Sequence, residues 1–216
     1  MQDKQAILET DNMYHVYNRA NGSECLFVSD ENYRFFLRKF EQYISPIADT
    51  FCYCLMPNHF HFLVKIKSEK DVEEYIRKRS FKSKTLQGFK TLEGLAEQEY
   101  MSKFLTQQFS HFFNSYTQSF NKQQYRKGSL FMHPYKRKAV TTQEYLIKLI
   151  HYIHYNPVEA VLCSKPEDWL YSSYRAIISN LSTSLDRNEI IALFDDLSNF
   201  IFCHNEPPRM TGIELY

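Results

Sequence analysis

Glycine is scarce in this chain, with 5 glycines among 216 residues. Loops that bind phosphate through the backbone depend on glycine, because only glycine lets the main chain approach the phosphate closely. Neither GxGxxG nor GxxxxGK[ST] occurs anywhere in the sequence. The sequence therefore argues against a dinucleotide site or a P-loop nucleotide site.

Charge of one sign is not in excess either, since 26 Lys and Arg against 25 Asp and Glu give a formal net charge of +1. This balance gives no global signal for nucleic acid, although a local cluster of basic residues can still bind it. Basic residues do gather at 77–90 and again at 126–138, and acidic residues gather near the end at 195–196.

Long apolar runs and CxxC pairs of cysteines are also missing. No run reaches the roughly 18 residues that a membrane helix needs, and the first residues lack the apolar region of a signal peptide. The five cysteines are scattered, and no CxxC occurs. We therefore predict reduced thiols in a cytoplasmic protein that has no membrane partner.

Periodicity and breaker residues predict an α+β fold. Strands are expected at 13–19, 47–56, 59–67 and 128–140, with a turn at Pro57-Asn58. Helices are expected from an N-cap at Asp30 to 45, within 71–100, over 104–124, from Thr142 to a stop at Asn156-Pro157, and over 186–202. The order of elements predicts an antiparallel sheet with helices packed on one face.

The most informative feature is the pair of histidines in His59-Phe60-His61. Side chains alternate between the faces of a strand, so both imidazoles project from one face, while Phe60, Phe62 and Val64 project from the other. Two imidazoles on a rigid strand make half of a metal site. The same spacing also arises by chance on a solvated strand, so the second half has to be found elsewhere.

A second pair lies on the helix expected before Pro157. Tyr152 and Asn156 are four residues apart, which places a phenol and a carboxamide on one helix face. If this helix face lies opposite the histidine pair, its phenol and carboxamide could complete the site. In the alternative interpretation, Tyr152 packs at a helix edge and Asn156 belongs to a common stop signal.

Five motifs in a fixed order resemble a known family. They are YHVYNR at 14–19, CLMPNHFH at 54–61, FNxxxYxxGxLF at 120–131, YIHYNPV at 152–158 and WxYSSY at 169–174. Together they closely resemble the single-tyrosine HUH transposases, specifically the REP-associated tyrosine transposase branch of the IS200-like transposases. The resemblance covers about 13–174 without the polar stretch at 71–100.

The resemblance implies a ferredoxin-like antiparallel sheet with helices packed against it, plus a C-terminal helical extension. It divides the chain into a transposase-like domain at 1–178, with a polar insertion at about 68–103, and a C-terminal helix and tail at 179–216. It also implies single-stranded or hairpin DNA as the partner of a monomer or homodimer.

The family's site residues map onto four positions. His59 and His61 correspond to ligands of a divalent metal, Asn156 to a third ligand and Tyr152 to the nucleophile. The resemblance implies Mg²⁺ or Mn²⁺, although histidine ligands also suit zinc. The implied activity is that of a metal-dependent DNA endonuclease and strand transferase with a 5′-phosphotyrosine intermediate. A phenol needs activation at neutral pH, and His15, His151 and His154 are candidates for that role.

DNA contacts should combine cations for phosphates with aromatic rings for unpaired bases. The candidates are Arg19, Tyr125, Arg126, Lys127, Lys136, Arg137 and Lys138. In the alternative interpretation these residues only solvate a surface. Two other functions stay open. One is a domesticated hairpin-DNA-binding protein that does not cleave. The other is a metallohydrolase, which no suitably placed carboxylate in the sequence supports.

Overall fold

The computed structural model describes residues 5–82 and 97–208. Its strands are β1 (Met13–Arg19), β2 (Ala48–Met56), β3 (His59–Ile66) and β4 (Lys136–Val140). Its helices are α1 (Asp30–Tyr43), α2 (Glu69–Lys82), α3 (Glu97–Gln123), α4 (Gln143–Glu159), α5 (Tyr174–Ile178), α6 (Arg187–Ala192) and α7 (Leu197–His204), with a 3₁₀ turn at Pro166–Asp168.

The sheet is antiparallel with the strand order β2-β3-β1-β4. Its two central strands are β3 and β1, and helices connect β1 to β2 and β3 to β4. This is the ferredoxin-like arrangement, so the predicted α+β class is confirmed.

Alternation along β3 divides the interior into two apolar cores. Phe62 belongs to the core beneath α1 and α3, where its ring stacks on Phe40 with centroids 4.0 Å apart. Leu63 belongs to the core on the opposite face, which α4 to α7 cover. The expectation of helices on one face is therefore wrong. The histidine-bearing face also carries buried apolar residues of β2, such as Phe51, and these require their own cover.

Helix α4 continues beyond its predicted stop. Thr142 caps it as expected, with its hydroxyl accepting a hydrogen bond from the Tyr145 amide, but the helix runs through Pro157 to Glu159. A proline removes one backbone donor, and in the last turn this loss is small. The Ala160 amide still donates to the Asn156 carbonyl at 3.0 Å. Asn156 therefore keeps helical geometry and shares a face with Tyr152.

Other boundaries also differ from the prediction. The N-cap of α1 is Ser29 rather than Asp30. The strand expected at 128–140 is reduced to β4, preceded by one isolated bridge between Ala20 and Phe131. The helix expected at 186–202 is divided into α6 and α7, because Asp195 adopts a left-handed conformation and Asp196 caps a new helix. The parts of the predicted insertion and tail at 83–96 and 209–216 lie outside the described residues.

Each edge of the sheet has backbone hydrogen bonds to a segment outside it. On β2, the Leu55 amide donates to the Tyr171 carbonyl at 2.9 Å, and the Ser173 amide donates to the Tyr53 carbonyl at 3.0 Å. On β4, the Ala6 amide donates to the Arg137 carbonyl at 3.4 Å. The WxYSSY motif thus has a structural role in its contact with β2.

The helices were also compared with the length and hydropathy of membrane spans. Among the described residues, none is long and apolar enough to cross a bilayer.

Candidate active site

The two histidines of β3 face helix α4 within one chain. His59 Nε2 lies 3.1 Å from the side-chain oxygen of Asn156. The His61 ring meets the Tyr152 ring edge-on, with centroids 5.4 Å apart. The two imidazoles are themselves 5.2 Å apart and nearly perpendicular. The structure thus brings together His59, His61, Tyr152 and Asn156, the residues that the sequence singled out.

Both ring nitrogens of His59 face amide oxygens. Nδ1 lies 2.7 Å from Asn58 Oδ1, and Nε2 faces Asn156. Burial lowers the pKa of His59, the hydrogen bond to Asn156 raises it and the charge of Arg19 lowers it. A neutral imidazole carries one proton and can donate to one of the two oxygens. If the proton lies on Nδ1 and is donated to Asn58, Nε2 and the Asn156 oxygen both carry lone pairs. A cation could then bind between these two atoms.

His61 is oriented by a neighbour on β1. His15 Nε2 lies 2.9 Å from His61 Nδ1, and the two rings stack. Burial and the charge of Lys138 lower the pKa of His15 to about 3, and burial followed by His15 and His59 lowers the pKa of His61. Both rings are therefore neutral at pH 7. If His61 Nδ1 donates to His15, its Nε2 presents a lone pair to a metal.

The side chain of Tyr152 is almost completely buried, with 2% of its surface exposed. Burial raises the pKa of Tyr152, while a hydrogen bond with the Asn156 side chain lowers it. A hydrogen bond lowers the pKa of a phenol when the phenol oxygen accepts it, because accepting stabilises the charged form. The amide of Asn156 therefore serves both partners, with its oxygen toward His59 and its nitrogen toward Tyr152.

The donor set fits a divalent metal with mixed ligands. Among residues 5–82 and 97–208, no group of three or more His, Cys, Asp or Glu side chains is arranged to hold a metal ion. The candidate set has two neutral imidazoles, which favour zinc, and one amide oxygen, which is the kind of ligand that Mg²⁺ and Mn²⁺ prefer. His59, His61 and Asn156 would hold the ion.

Three predicted DNA contacts lie on the histidine-bearing face. Arg19 pairs with His59 across β1 and β3, and Lys136 and Lys138 pair with Tyr17 and His15 across β1 and β4. Paired residues of antiparallel strands share a face. Positive charge therefore extends from the candidate metal site along the adjacent strands.

The other four predicted DNA contacts lie elsewhere. Arg126 forms an ion pair with Glu24 at 2.6 Å and also bonds to Asn121, and Arg137 donates to the Ala6 carbonyl and the Tyr135 hydroxyl. Both arginines thus have intramolecular partners that hold the fold. The remaining two, Tyr125 and Lys127, are exposed beyond the end of α3.

The three candidate bases are separated by the fold. His15 contacts the metal-ligand candidate His61. His154 lies on α4 about 200° around the helix from Tyr152 and contacts Ser173 and His204. His151 Nε2 lies 2.8 Å from the Glu206 carbonyl. Sequence reasoning placed His15 among the bases and missed its contact with His61, since the register between β1 and β3 is not readable from either strand alone.

Comparison with known proteins identifies a similar fold. A solved structure of a REP-associated tyrosine transposase bound to a REP hairpin superposes with a TM-score of 0.51 at 10% sequence identity. The match covers 85% of this chain and 90% of that one. No protein-family model matches the sequence, and no curated protein matches it. The chain therefore shares the fold of that transposase.

Proposed function

We propose that this protein is a metal-dependent single-stranded DNA endonuclease and strand transferase, a transposase that acts through a 5′-phosphotyrosine. The observation that carries the proposal is the position of Asn156, whose one side chain contacts both the histidine His59 and the phenol of Tyr152. The shared fold with a hairpin-bound tyrosine transposase supports hairpin DNA as the substrate.

The residues divide the work of breaking a phosphodiester. His59, His61 and Asn156 would hold a divalent metal, which when bound supplies positive charge to the non-bridging phosphate oxygens. His15 keeps His61 in the tautomer that leaves Nε2 as a ligand. Arg19 adds a fixed cation beside His59. All the ligands are uncharged, so the positive charge of the site is not neutralised by the protein.

Tyr152 supplies the nucleophile. Its oxygen forms a bond to phosphorus while the bond between phosphorus and the 3′ oxygen breaks, and the phenolic proton ends on the released 3′-OH. The covalent link conserves the phosphodiester energy, so a strand can be rejoined without a nucleotide cofactor. Burial holds the proton on free Tyr152, and the Asn156 amide together with the positive charge of the loaded site would favour its loss.

DNA would lie along the basic strip on the histidine-bearing face. Arg19, Lys136 and Lys138 would contact phosphates, and Lys127 and Tyr125 would contact a more distant part of a hairpin. Arg126 and Arg137 would act mainly by holding loops, although DNA contact by them stays a prediction. Because the four reacting side chains come from one chain, a monomer would suffice for cleavage.

Trapping a covalent adduct tests the proposal. The purified protein is incubated with Mn²⁺ and a labelled single strand that carries a hairpin, and the adduct is resolved under denaturing conditions. Tyr152→Phe should abolish the adduct. Tyr155→Phe is the matched control, since it removes a hydroxyl from the same helix three residues away, and it should leave the adduct intact. An adduct that persists in Tyr152→Phe would contradict the assignment.

Hairpin binding without cleavage is the second candidate, and the burial of Tyr152 favours it. A nucleophile that is 2% exposed must be uncovered before it reaches phosphorus. In this case hairpin DNA would bind with the same affinity to the wild type and to Tyr152→Phe, and no adduct would form with Mg²⁺, Mn²⁺ or Zn²⁺. That pair of results would replace the enzymatic proposal.

A further inference from the structure

A chain of buried hydrogen bonds lies behind the helix that carries Tyr152 and Asn156. His154 Nε2 lies 2.8 Å from the Ser173 hydroxyl, and His154 Nδ1 lies 3.1 Å from His204 Nε2. His204 Nδ1 lies 2.7 Å from the Phe200 carbonyl. Ser173, His154 and His204 are all fully buried, so this chain is inaccessible to substrate and does not serve as a second nucleophile.

The Phe200 carbonyl at the end of the chain indicates the direction of its hydrogen bonds. A carbonyl only accepts, so His204 Nδ1 carries the proton that is donated to Phe200. Burial lowers the pKa of His204 to about 3, so this ring is neutral and its Nε2 is an acceptor. His204 Nε2 then accepts from His154 Nδ1, and His154 Nε2 accepts from the Ser173 hydroxyl. The hydroxyl accepts in turn from the Tyr53 amide at 2.9 Å, and its other contact, with the Tyr53 carbonyl at 3.2 Å, is longer than the one with His154.

This chain joins three elements. It begins at the backbone of β2, passes through α4 at His154 and ends within α7. His154 lies two residues from Tyr152 and two from Asn156, about 160–200° around the helix from both. The β3 histidines contact one side of α4, and the hydrogen bonds hold the opposite side. Rotation of α4 about its axis would break bonds whose groups have no access to water.

We propose that His204 of α7 is a positioning residue that acts through His154 to fix the rotation of α4, and thereby the placement of Tyr152 and Asn156 against the β3 histidines. The proposal deepens the proposed function and rests on it for the effect on catalysis. It makes α7 part of the catalytic unit, although α7 contributes no residue to the reacting atoms. A misplacement of about 1 Å can lower a rate by about 10²-fold, so small rotations matter.

Two substitutions at His204 separate positioning from mere filling of space. His204→Gln retains an oxygen that can accept from His154 Nδ1, whereas His204→Leu fills a similar volume without an acceptor. His204→Leu should lower the rate of adduct formation by about 10-fold or more, with hairpin affinity unchanged within about twofold. His204→Gln should retain the wild-type rate within about threefold. Ile190→Val, a conservative change in the buried core at α6, is the control for a general loss of stability and should retain the rate.

A readout without metal or DNA keeps the inference independent of the proposed activity. The ¹⁵N spectrum of His154 should show the Nδ1–H tautomer in the wild type and in His204→Gln, and a mixture in His204→Leu. The side-chain amide resonances of Asn156 should move only in His204→Leu. If His204→Leu does not fold, Ser173→Ala removes the donor at the other end of the chain and should move the same resonances.

The outcomes are distinct. Wild-type protein that forms no adduct would overturn the proposed function, while the Asn156 resonances would still decide whether His204 positions α4. An unmoved Asn156 amide in His204→Leu, or in Ser173→Ala where that variant replaces it, would overturn the positioning role. So would a His204→Gln variant that loses as much activity as His204→Leu.

Discussion

The side-chain oxygen of Asn156 lies 3.1 Å from His59 Nε2, although 97 residues separate them in the chain. This contact joins the last turn of α4 to the first residue of β3. It places an amide beside an imidazole at the end of the sheet where the Pro57-Asn58 turn enters β3. The first two predictions concern the metal that this pair would share.

Replacing Asn156 with alanine should weaken metal binding. The change removes the only oxygen among the three proposed ligands, so we expect the affinity for Mn²⁺ to fall at least about tenfold. Asn156→Asp retains an oxygen and adds negative charge, so it should bind Mn²⁺ at least as tightly as the wild type. Titration followed by electron paramagnetic resonance, without DNA, measures both. Equal affinities for the two variants would remove Asn156 from the ligand set.

Removing His15 should weaken metal binding without removing a ligand. His15→Phe retains an aromatic ring but loses the nitrogen that orients His61, and the loss of such a partner typically costs about 10- to 100-fold in metal affinity. His15→Gln should lose less. His111→Gln on α3, on the other face of the sheet, is the control. The same Mn²⁺ titration reports the result, and an unchanged affinity in His15→Phe would show that His61 needs no orientation.

Stability should decrease as the pH falls below 6.5. The pKa of His15 and the pKa of His204 are both lowered to about 3 in the folded protein. In the unfolded chain these residues bind protons near pH 6.5, whereas in the folded chain they stay neutral until about pH 3. Stability is therefore unaffected above about pH 6.5 and declines from there down to about pH 3. At pH 5 the loss is about 2 kcal/mol for each of the two residues.

Urea unfolding in the presence of a chelator measures this effect at pH 7 and pH 5. His204→Gln should reduce the difference between the two free energies of unfolding by about 2 kcal/mol, since one of the two histidines is gone. If the difference in His204→Gln equals that of the wild type, His204 is not held neutral in the folded protein.

The basic strip should govern the salt dependence of DNA binding. Each lysine that neutralises a phosphate contributes about 0.7 to the slope of log affinity against log salt for a single strand. Lys136→Ala combined with Lys138→Ala should therefore lower that slope by about 1.4. Lys39→Ala on α1, on the other side of the sheet, is the control and should leave it unchanged. A slope that does not respond to the pair would place the DNA elsewhere.

Tyr125 offers a test in which stability and binding move in opposite directions. It is 98% exposed and adopts a left-handed conformation with φ of 51° at the end of α3. This conformation costs a non-glycine residue about 1–2 kcal/mol, so Tyr125→Gly should stabilise the fold by up to about that amount. If the ring stacks on an unpaired base, the same change should weaken single-strand binding by about 1–3 kcal/mol. Stabilisation with unchanged binding would assign the ring no role in DNA contact.

Local patterns predicted much of the fold and which side chains of the candidate site share a face. The alternation at His59 to Val64 indicated which face carries the imidazoles, and the spacing of Tyr152 and Asn156 indicated a shared helix face. The stop at Pro157 was wrong because the local preference of a proline ignores how little one lost bond costs in a final turn. Packing on α4 outweighs that loss.

Long-range register explains what the sequence could not indicate. The contact between His15 and His61 depends on how β1 aligns with β3, and the contact between His154 and His204 depends on how α7 docks on α4. Neither alignment can be inferred from the sequence close to these histidines, because both depend on residues far away in the chain. The apolar residues on the histidine-bearing face of β2 and β3 required a second layer of helices. A pattern read strand by strand shows only that such a face is partly apolar, not what covers it.

The backbone contacts at the two edges of the sheet affect how copies of this protein could associate. Residues 171–173 occupy the outer side of β2, and the segment at Ala6 occupies the outer side of β4. An exposed edge is a template on which another chain can add a strand, in a dimer or in an aggregate. A strand from a second copy could pair along the full length of either edge only after displacing one of those segments and its backbone hydrogen bonds.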